Sequence, residues 1–332
     1  MARKKVKLPI FFKNRMTEFS LSVIFVIGFL ALVLTSNGVF LSRASLQGFL
    51  TYLAVPIAIG LAQMVVLCIG QMNLAVGTMG GVSCAIMAVL MADHNLPIWL
   101  AIFIGLFSAT AMGAINGALV VLTQLNGFII TLGTYTILLG FQYRLVKTFT
   151  IDKYPSSLPE FGKRNILGFP YILVIAIITA ILLSLFFSRT IIGRRVLATG
   201  GNPLAARLSG VSNNRSIFIA HTLSGLLIGV ASVITIASLP GINRSIGGDW
   251  LLASFAAPII GGVLMSGGTI AIYGTVIAAG VVRLVDIARA QYSLDPSIVS
   301  LSVGVVTLST VALSEWRRRR TERQNEGIKE LI

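Results

Sequence analysis

The sequence predicts an all-α polytopic membrane protein with about ten transmembrane helices and both termini in the cytoplasm. Three observations support this fold class. Of the 332 residues, 55% are hydrophobic and only 11% are charged, and the mean hydropathy is +0.90, values outside the range of soluble domains. Apolar runs of about 20 residues, the length that crosses a bilayer, recur along the chain. The lysines and arginines collect at the two ends and in one internal polar segment.

The apolar runs define the predicted spans in chain order. They are 19–35, 47–68, 73–91, 98–122, 128–146, 169–187, 217–239, 251–266, 269–288 and 297–316. The first run is preceded by six basic residues and followed by no small-residue cleavage pattern, which favours a retained span over a cleaved signal. A count of eight or twelve spans would leave both termini on the same side.

The distribution of lysine and arginine predicts the orientation. With the amino terminus inside, 17 of the 26 lie on the cytoplasmic side, eight lie outside and one, Arg283, falls within a span. The predicted organisation is a basic cytoplasmic segment 1–18, a transmembrane domain 19–316 with a polar cytoplasmic loop 188–216, and a basic cytoplasmic tail 317–332. The net charge of +15 does not indicate nucleic-acid binding, because the cations are not interleaved with exposed aromatics.

The polar loop contains a predicted short helix. Asn202 offers a side-chain oxygen at the N-cap, Pro203 occupies the first helical position, and Gly210 ends the helix. The helix with its caps comprises Asn202, Pro203, Leu204, Ala205, Ala206, Arg207, Leu208, Ser209 and Gly210.

One face of this helix is predicted to contact a partner. Ala205, Leu208 and Val211 recur at intervals of three and form an apolar ridge that suits a partner groove, with Arg207 at its rim. The alternative is a helix that lies on the membrane surface.

The chain lacks the sequence signals of catalysis and of an energy source. No GxxxxGK[ST] phosphate loop occurs, and neither histidine has a partner at metal-ligand or triad spacing. Asp286, the one acidic residue inside a predicted span, lies three residues from Arg283 and from Arg289, which favours a neutralised ion pair. We therefore predict no catalytic residue and no metal site, and a subunit whose motor is another chain. An ion-coupled secondary transporter or a channel is the alternative.

Four ordered blocks of the sequence carry a family resemblance. The blocks are MNLAVG at 72–77, GAING at 113–117 with FIITLGT at 128–134, GRRVLATGGNPLAARLSGV at 193–211, and AAPIIGG at 256–262 with SGGT at 266–269. Over roughly residues 45 to 315 the chain resembles the ribose-type permease family of ABC importers.

The resemblance implies both a function and partners. The segment 193–211 resembles the coupling segment that docks on the ATPase subunit in that family. The chain would be the permease subunit, in a bacterial inner membrane, for a sugar or sugar-like solute delivered by an external binding protein. A second permease chain, identical or paralogous, would complete the membrane part of the importer. ATP and Mg²⁺ would bind the partner ATPase, and this chain would hold no cofactor. Nucleosides and branched-chain amino acids are the alternative cargoes.

The chain departs from the family pattern at positions that bear on the solute. Asn73 stands where the family usually has aspartate, and Asn126–Gly127 where it has proline. Leu251 and Ala253 replace a glutamate and an aspartate. The departures leave open which solute is carried and whether the permease pairs with itself or with a paralogue.

Polar side chains in the third to fifth predicted spans are candidates for a translocation pathway, because such groups are costly in contact with lipid. The candidates are Asn73, Asn116, Thr131, Thr134, Tyr135 and Gln142. Thr131, Tyr135 and Gln142 fall on one face by the helical period. The alternative role for these residues is hydrogen bonding between helices.

Overall fold

The computed structural model describes residues 10–147 and 150–292 and the single positions 295, 297, 301, 304 and 305. In chain order the described helices are α1 (Ile10–Thr35), α2 (Arg43–Leu67), α3 (Val76–Ala92), α4 (Ile98–Thr123), α5 (Gly127–Leu145), α6 (Ser157–Lys163), α7 (Tyr171–Arg189), α8 (Ile191–Gly201), α9 (Pro203–Leu208), α10 (Asn213–Ser238), α11 (Trp250–Ile260) and α12 (Ile272–Gln291). A 3₁₀ turn, Val39–Leu41, precedes α2. The two-residue strands are β1 (Thr150–Ile151), β2 (Asn165–Ile166), β3 (Phe169–Pro170) and β4 (Ile242–Asn243).

Five helices in the described ranges are long and apolar enough to cross a membrane. They are the Glu18–Thr35 part of α1 and the whole of α2, α4, α7 and α10. These helices confirm an all-α, multi-pass membrane protein, whereas the count of ten spans and the orientation stay predictions. The tenth predicted span, 297–316, lies almost wholly outside the described residues, as does the tail.

Helix α8 was not predicted within the polar loop, and two of the predicted spans differ most from the structure. Helix α1 begins at Ile10, inside the segment that was expected to precede the first span. Helix α11 has 11 residues, about 17 Å, which is too short to cross a hydrocarbon core of about 30 Å alone. It ends where Gly262 takes a left-handed φ of +96° and the Val263 amide bonds back to the Pro258 carbonyl at 2.9 Å.

Helix α2 forms the centre of the bundle, and its second half is almost completely buried against α10, α11 and α12. Helices α4 and α10 pack most closely, because glycines let the two backbones meet. A Cβ at Gly113 would lie 2.4 Å from the His221 carbonyl oxygen, and one at Gly225 would lie 2.5 Å from that of Ala109. The bundle is therefore held by small residues at helix crossings.

At one end of the bundle, the loops pack together. β1 pairs with β4 in an antiparallel register that sets Thr150 opposite Asn243. The Tyr154 hydroxyl donates a hydrogen bond to the Leu239 carbonyl at 2.5 Å, and burial raises the pKa of Tyr154 to about 12. The phenol thus stays protonated and holds the loop after α5 on the end of α10.

Candidate functional site

The predicted short helix is present as α9, with its predicted caps. The Asn202 side chain accepts a hydrogen bond from the Ala205 amide at 3.0 Å, and proline occupies the first turn. At the other end Gly210 has a φ of +78°, and the Val211 amide donates to the Ala206 carbonyl at 2.9 Å. This pattern ends a helix with a left-handed glycine, which a residue with a Cβ adopts only at a cost.

The exposed ridge of α9 differs from the predicted one. Leu204 and Leu208 are 69% and 82% exposed, whereas Ala206 is only 5% exposed and faces the bundle. Val211 is half-buried, because the turn after Gly210 draws it back toward α9. The ridge is therefore formed by Leu204 and Leu208, one helical turn apart and flanked by exposed Ala205.

Helix α8 joins this ridge to the bundle through backbone contacts. A Cβ at Gly200 would lie 1.8 Å from the Cys68 carbonyl oxygen, so only glycine fits at this position. The same carbonyl accepts a hydrogen bond from the Gly268 amide at 2.7 Å. The end of α8 thus rests directly on the end of α2 and on the loop before α12.

Two of the predicted pathway residues hold the break between α2 and α3. The Thr131 hydroxyl accepts the Leu74 amide at 3.0 Å and donates to the Gly127 carbonyl at 2.7 Å. The Asn73 side-chain oxygen accepts the Ala75 amide at 2.9 Å. Both side chains are buried. Their hydrogen bonds stabilise the irregular backbone between α2 and α3, where the amides of Leu74 and Ala75 bond to side chains and not to helical carbonyls.

The other predicted pathway residues are also used inside the protein. The Gln142 amide donates to the carbonyls of Arg244 and Ile246, at 3.1 and 2.9 Å. Asn116 is buried with its amide 3.7 Å from the Met79 sulfur. The Thr134 hydroxyl bonds within its own helix at 3.2 Å, and Tyr135 packs against the core. These contacts are those of the interhelical alternative, and a role in translocation stays a prediction.

A cavity of about 670 Å³ lies elsewhere, between α2, the end of α10, α11 and α12. None of the six predicted pathway residues lines it. Its α2 wall runs from Thr51 to Ile59, well before the Cys68 end that supports α8. The cavity therefore lies toward the end of the bundle opposite α9.

The cavity wall combines charged and aromatic side chains. Arg283 and Asp286 form the predicted ion pair, with 3.6 Å between Nη1 and Oδ2. The guanidinium also lies 5.1 Å from the centre of the Tyr52 ring, within the range of a cation–π contact. Asp249 and Trp250 line the same cavity.

Sequence reasoning identified only part of this wall. It singled out the Arg283–Asp286 pair but missed Tyr52, Asp249 and Trp250. A signal was present in Pro56, which interrupts hydrogen bonding inside a span. Ala253, where the family pattern was expected to have an acid, also lines the cavity.

Comparison with known proteins agrees with the resemblance read from the sequence. Residues 45–311 match the profile of the family described as the branched-chain amino acid transport system permease component. The fructose import permease protein FrcC of Rhizobium meliloti is 28% identical over 90% of this chain and 85% of its own length. The D-allose transport system permease protein AlsC of Escherichia coli is 28% identical over 74% of this chain and 76% of its own.

A third relative is the autoinducer 2 import system permease protein LsrD of Escherichia coli. It is 28% identical over 76% of this chain and 81% of its own length. No solved structure matches the chain significantly.

Proposed function

Because the chain belongs to the family of permease components of branched-chain amino acid transport systems, we propose that it is the membrane-spanning subunit of an ABC importer for a sugar or sugar-like solute. The relatives named for fructose, D-allose and autoinducer 2 favour this cargo over a branched-chain amino acid, which the family name also covers. The chain is a transport subunit and not an enzyme.

The proposed partners are the subunits that hydrolyse ATP, complete the transmembrane part and capture the solute in such importers. An ATPase subunit binds ATP and Mg²⁺ and receives α9 in a groove on the cytoplasmic side of a bacterial inner membrane. A second permease chain, identical or paralogous, supplies the second coupling helix for a paired ATPase. A solute-binding protein docks at the opposite end. Exposed Leu204 and Leu208 support the ATPase contact, as does the absence of any acidic residue from 189 to 215.

The observation that carries the proposal is the backbone contact beneath α8. A force on α9 passes to Gly200, and from there to the Cys68 carbonyl at the end of α2 and to the loop before α12. Helices α2 and α12 line the cavity at the other end. Because packed segments without free space move together, closure of the ATPase can change access to the cavity, as alternating access requires.

The test replaces the exposed ridge with charge. In the Leu204→Glu, Leu208→Glu double variant, we expect loss of copurification with the ATPase subunit from the same source. We also expect loss of the ATP hydrolysis that the binding protein stimulates in reconstituted membranes. Burial of the two leucine side chains in the groove would favour binding by roughly 1.5–3 kcal/mol each, whereas two buried carboxylates without partners would oppose it.

The control is Leu167→Glu, which replaces a 94% exposed leucine at the opposite end of the molecule. This variant should copurify with the ATPase as well as the native chain does. If the double variant behaves like the control, the coupling assignment is wrong. An ion-coupled carrier, with Asp286 as its candidate coupling residue, then becomes the better hypothesis.

A further inference from the structure

We propose that the cavity between α2, α11 and α12 is a solute-holding site within each chain, and that it binds an uncharged, polyhydroxylated molecule of monosaccharide size. The inference rests on the proposed function for the view that a solute crosses this protein. It does not rest on how the ATPase is coupled. It places the solute against Tyr52, Asp249, Arg283 and Asp286, away from the residues that the sequence pattern indicated.

The volume and the wall suit a small polar ring. A cavity of about 670 Å³ lies within the range of small-molecule sites, roughly 300–1,000 Å³. The half-exposed Tyr52 lines the cavity and its ring suits the C–H face of a sugar, while the polar groups beside it suit the hydroxyls. Such an alternation of apolar and polar wall serves a solute that carries both kinds of surface.

The hydrogen-bonding groups of the wall are not all used by the protein. Nε of Arg283 is buried and has no hydrogen-bond partner among the described residues, and Nη1 lies 3.6 Å from Oδ2 of Asp286. The Asp249 carboxylate precedes α11 without capping it. The side chains of Arg283 and Asp286 are 21% and 37% exposed, so the guanidinium terminus and the two carboxylates can meet hydroxyl groups, each of which both donates and accepts.

A proline frees a backbone acceptor in the helix that forms this wall. Pro56 lies inside α2 and has no N–H, so the carbonyl of Tyr52, four residues earlier, loses its helical donor. Both residues line the cavity. An unpaired carbonyl is costly within a membrane, and a solute hydroxyl would supply the missing donor.

The charge of the wall selects against an amino acid. Arg283 is already neutralised by Asp286, and Asp249 adds a further negative charge to the lining. The ammonium group of an amino acid would find a partner here, but its carboxylate would meet two aspartates and, among the described lining residues, no unpaired cation, and a charge without a partner is costly to desolvate. An uncharged sugar needs no counterion and exchanges hydrogen bonds with water for hydrogen bonds with the wall.

The test measures binding to the purified chain in lipid nanodiscs, without any ATPase, by saturation-transfer NMR titration. The probes are fructose and allose, with leucine as the competing class. The blocking variant Ala253→Phe places a ring on the cavity wall. Its matched control, Leu252→Phe, changes the preceding residue, which is 67% exposed and does not line the cavity.

We expect at least one sugar to bind the native chain and the Leu252→Phe control with equal affinity. The same sugar should bind the Ala253→Phe variant at least tenfold more weakly. Leucine should not compete. Arg283→Gln should weaken binding about tenfold or more, since each charge-assisted hydrogen bond is worth about a factor of ten. Arg283→Lys keeps the positive charge and should therefore retain part of the affinity that Arg283→Gln loses.

Three outcomes would overturn the assignment. They are sugar binding that Ala253→Phe leaves unchanged, displacement of sugar by leucine, and no binding of either sugar to the native chain. Because no ATPase is present, a failed coupling experiment and a failed cavity experiment remain distinguishable.

Discussion

Gly200→Ala tests whether the end of α8 bears directly on α2. The new Cβ would lie 1.8 Å from the Cys68 carbonyl oxygen and 2.8 Å from the Gly268 amide nitrogen. A carbon–oxygen contact needs about 3.3 Å, so the two backbones would have to separate by about 1.5 Å. Because Gly268 donates a 2.7 Å hydrogen bond to the same carbonyl, the displacement would act on the loop before α12 as well as on α2.

The structure supplies a matched control one residue away. A Cβ at Gly201 would lie 3.8 Å from the nearest atom, the Gly268 Cα, which is an ordinary contact. Gly201→Ala should therefore be neutral or slightly stabilising, because alanine is favoured over glycine in a helix by up to about 1 kcal/mol. Gly200→Ala should cost roughly 1–3 kcal/mol, the usual range for an overpacked site.

The assay has two arms. Thermal unfolding of the purified variants in detergent should show a lower midpoint for Gly200→Ala than for Gly201→Ala. In proteoliposomes with the ATPase and the binding protein, Gly200→Ala should keep the ATPase bound but reduce sugar uptake per ATP hydrolysed, because α9 is intact and its link to α2 is displaced. Equal unfolding midpoints for the two variants would refute the proposed contact, and equal uptake ratios would refute its role in coupling.

Two further predictions concern local hydrogen bonds. Asn202→Ala should raise the exchange rate of the Ala205 amide by about fivefold, since an N-cap is worth roughly 1 kcal/mol. Asn202→Asp should preserve the protection, and equal exchange in all three chains would contradict the cap. The pKa of Tyr154 is raised to about 12 from about 10 when unfolded, so its contribution is present below pH 10 and is lost as the pH rises toward 12. Native protein should therefore lose more stability than Tyr154→Phe between pH 10 and pH 12 in denaturant titrations, and parallel losses would show that the phenol is not held by the loop.

Local sequence patterns predicted the helices and the ends of α9 well. Long apolar runs predicted α2, α4, α7 and α10 within a few residues, because each helix satisfies its own backbone hydrogen bonds within the bilayer. Asn202, Pro203 and Gly210 predicted both ends of α9 because capping depends only on residues within one turn.

The same patterns were less informative about which side chains face which partner. Thr131 and Gln142 share a helix face and were assigned to a pathway, yet their hydrogen bonds go to the loops after α2 and α10. Helical periodicity gives the face of a residue but not what lies opposite that face. Leu204 replaced Val211 in the exposed ridge for a similar reason, since the turn at Gly210 changes direction after the helix ends.

The sequence by itself determined that this chain is a multi-pass membrane protein with a short, capped helix in its polar loop, because hydropathy, length and capping are properties of neighbouring residues. Only the tertiary structure decided where the cavity lies and which backbones the end of α8 contacts. Tyr52, Asp249 and Arg283 are far apart in the chain and meet through the packing of α2, α11 and α12. Gly200, Cys68 and Gly268 meet because three backbones approach where no side chain intervenes.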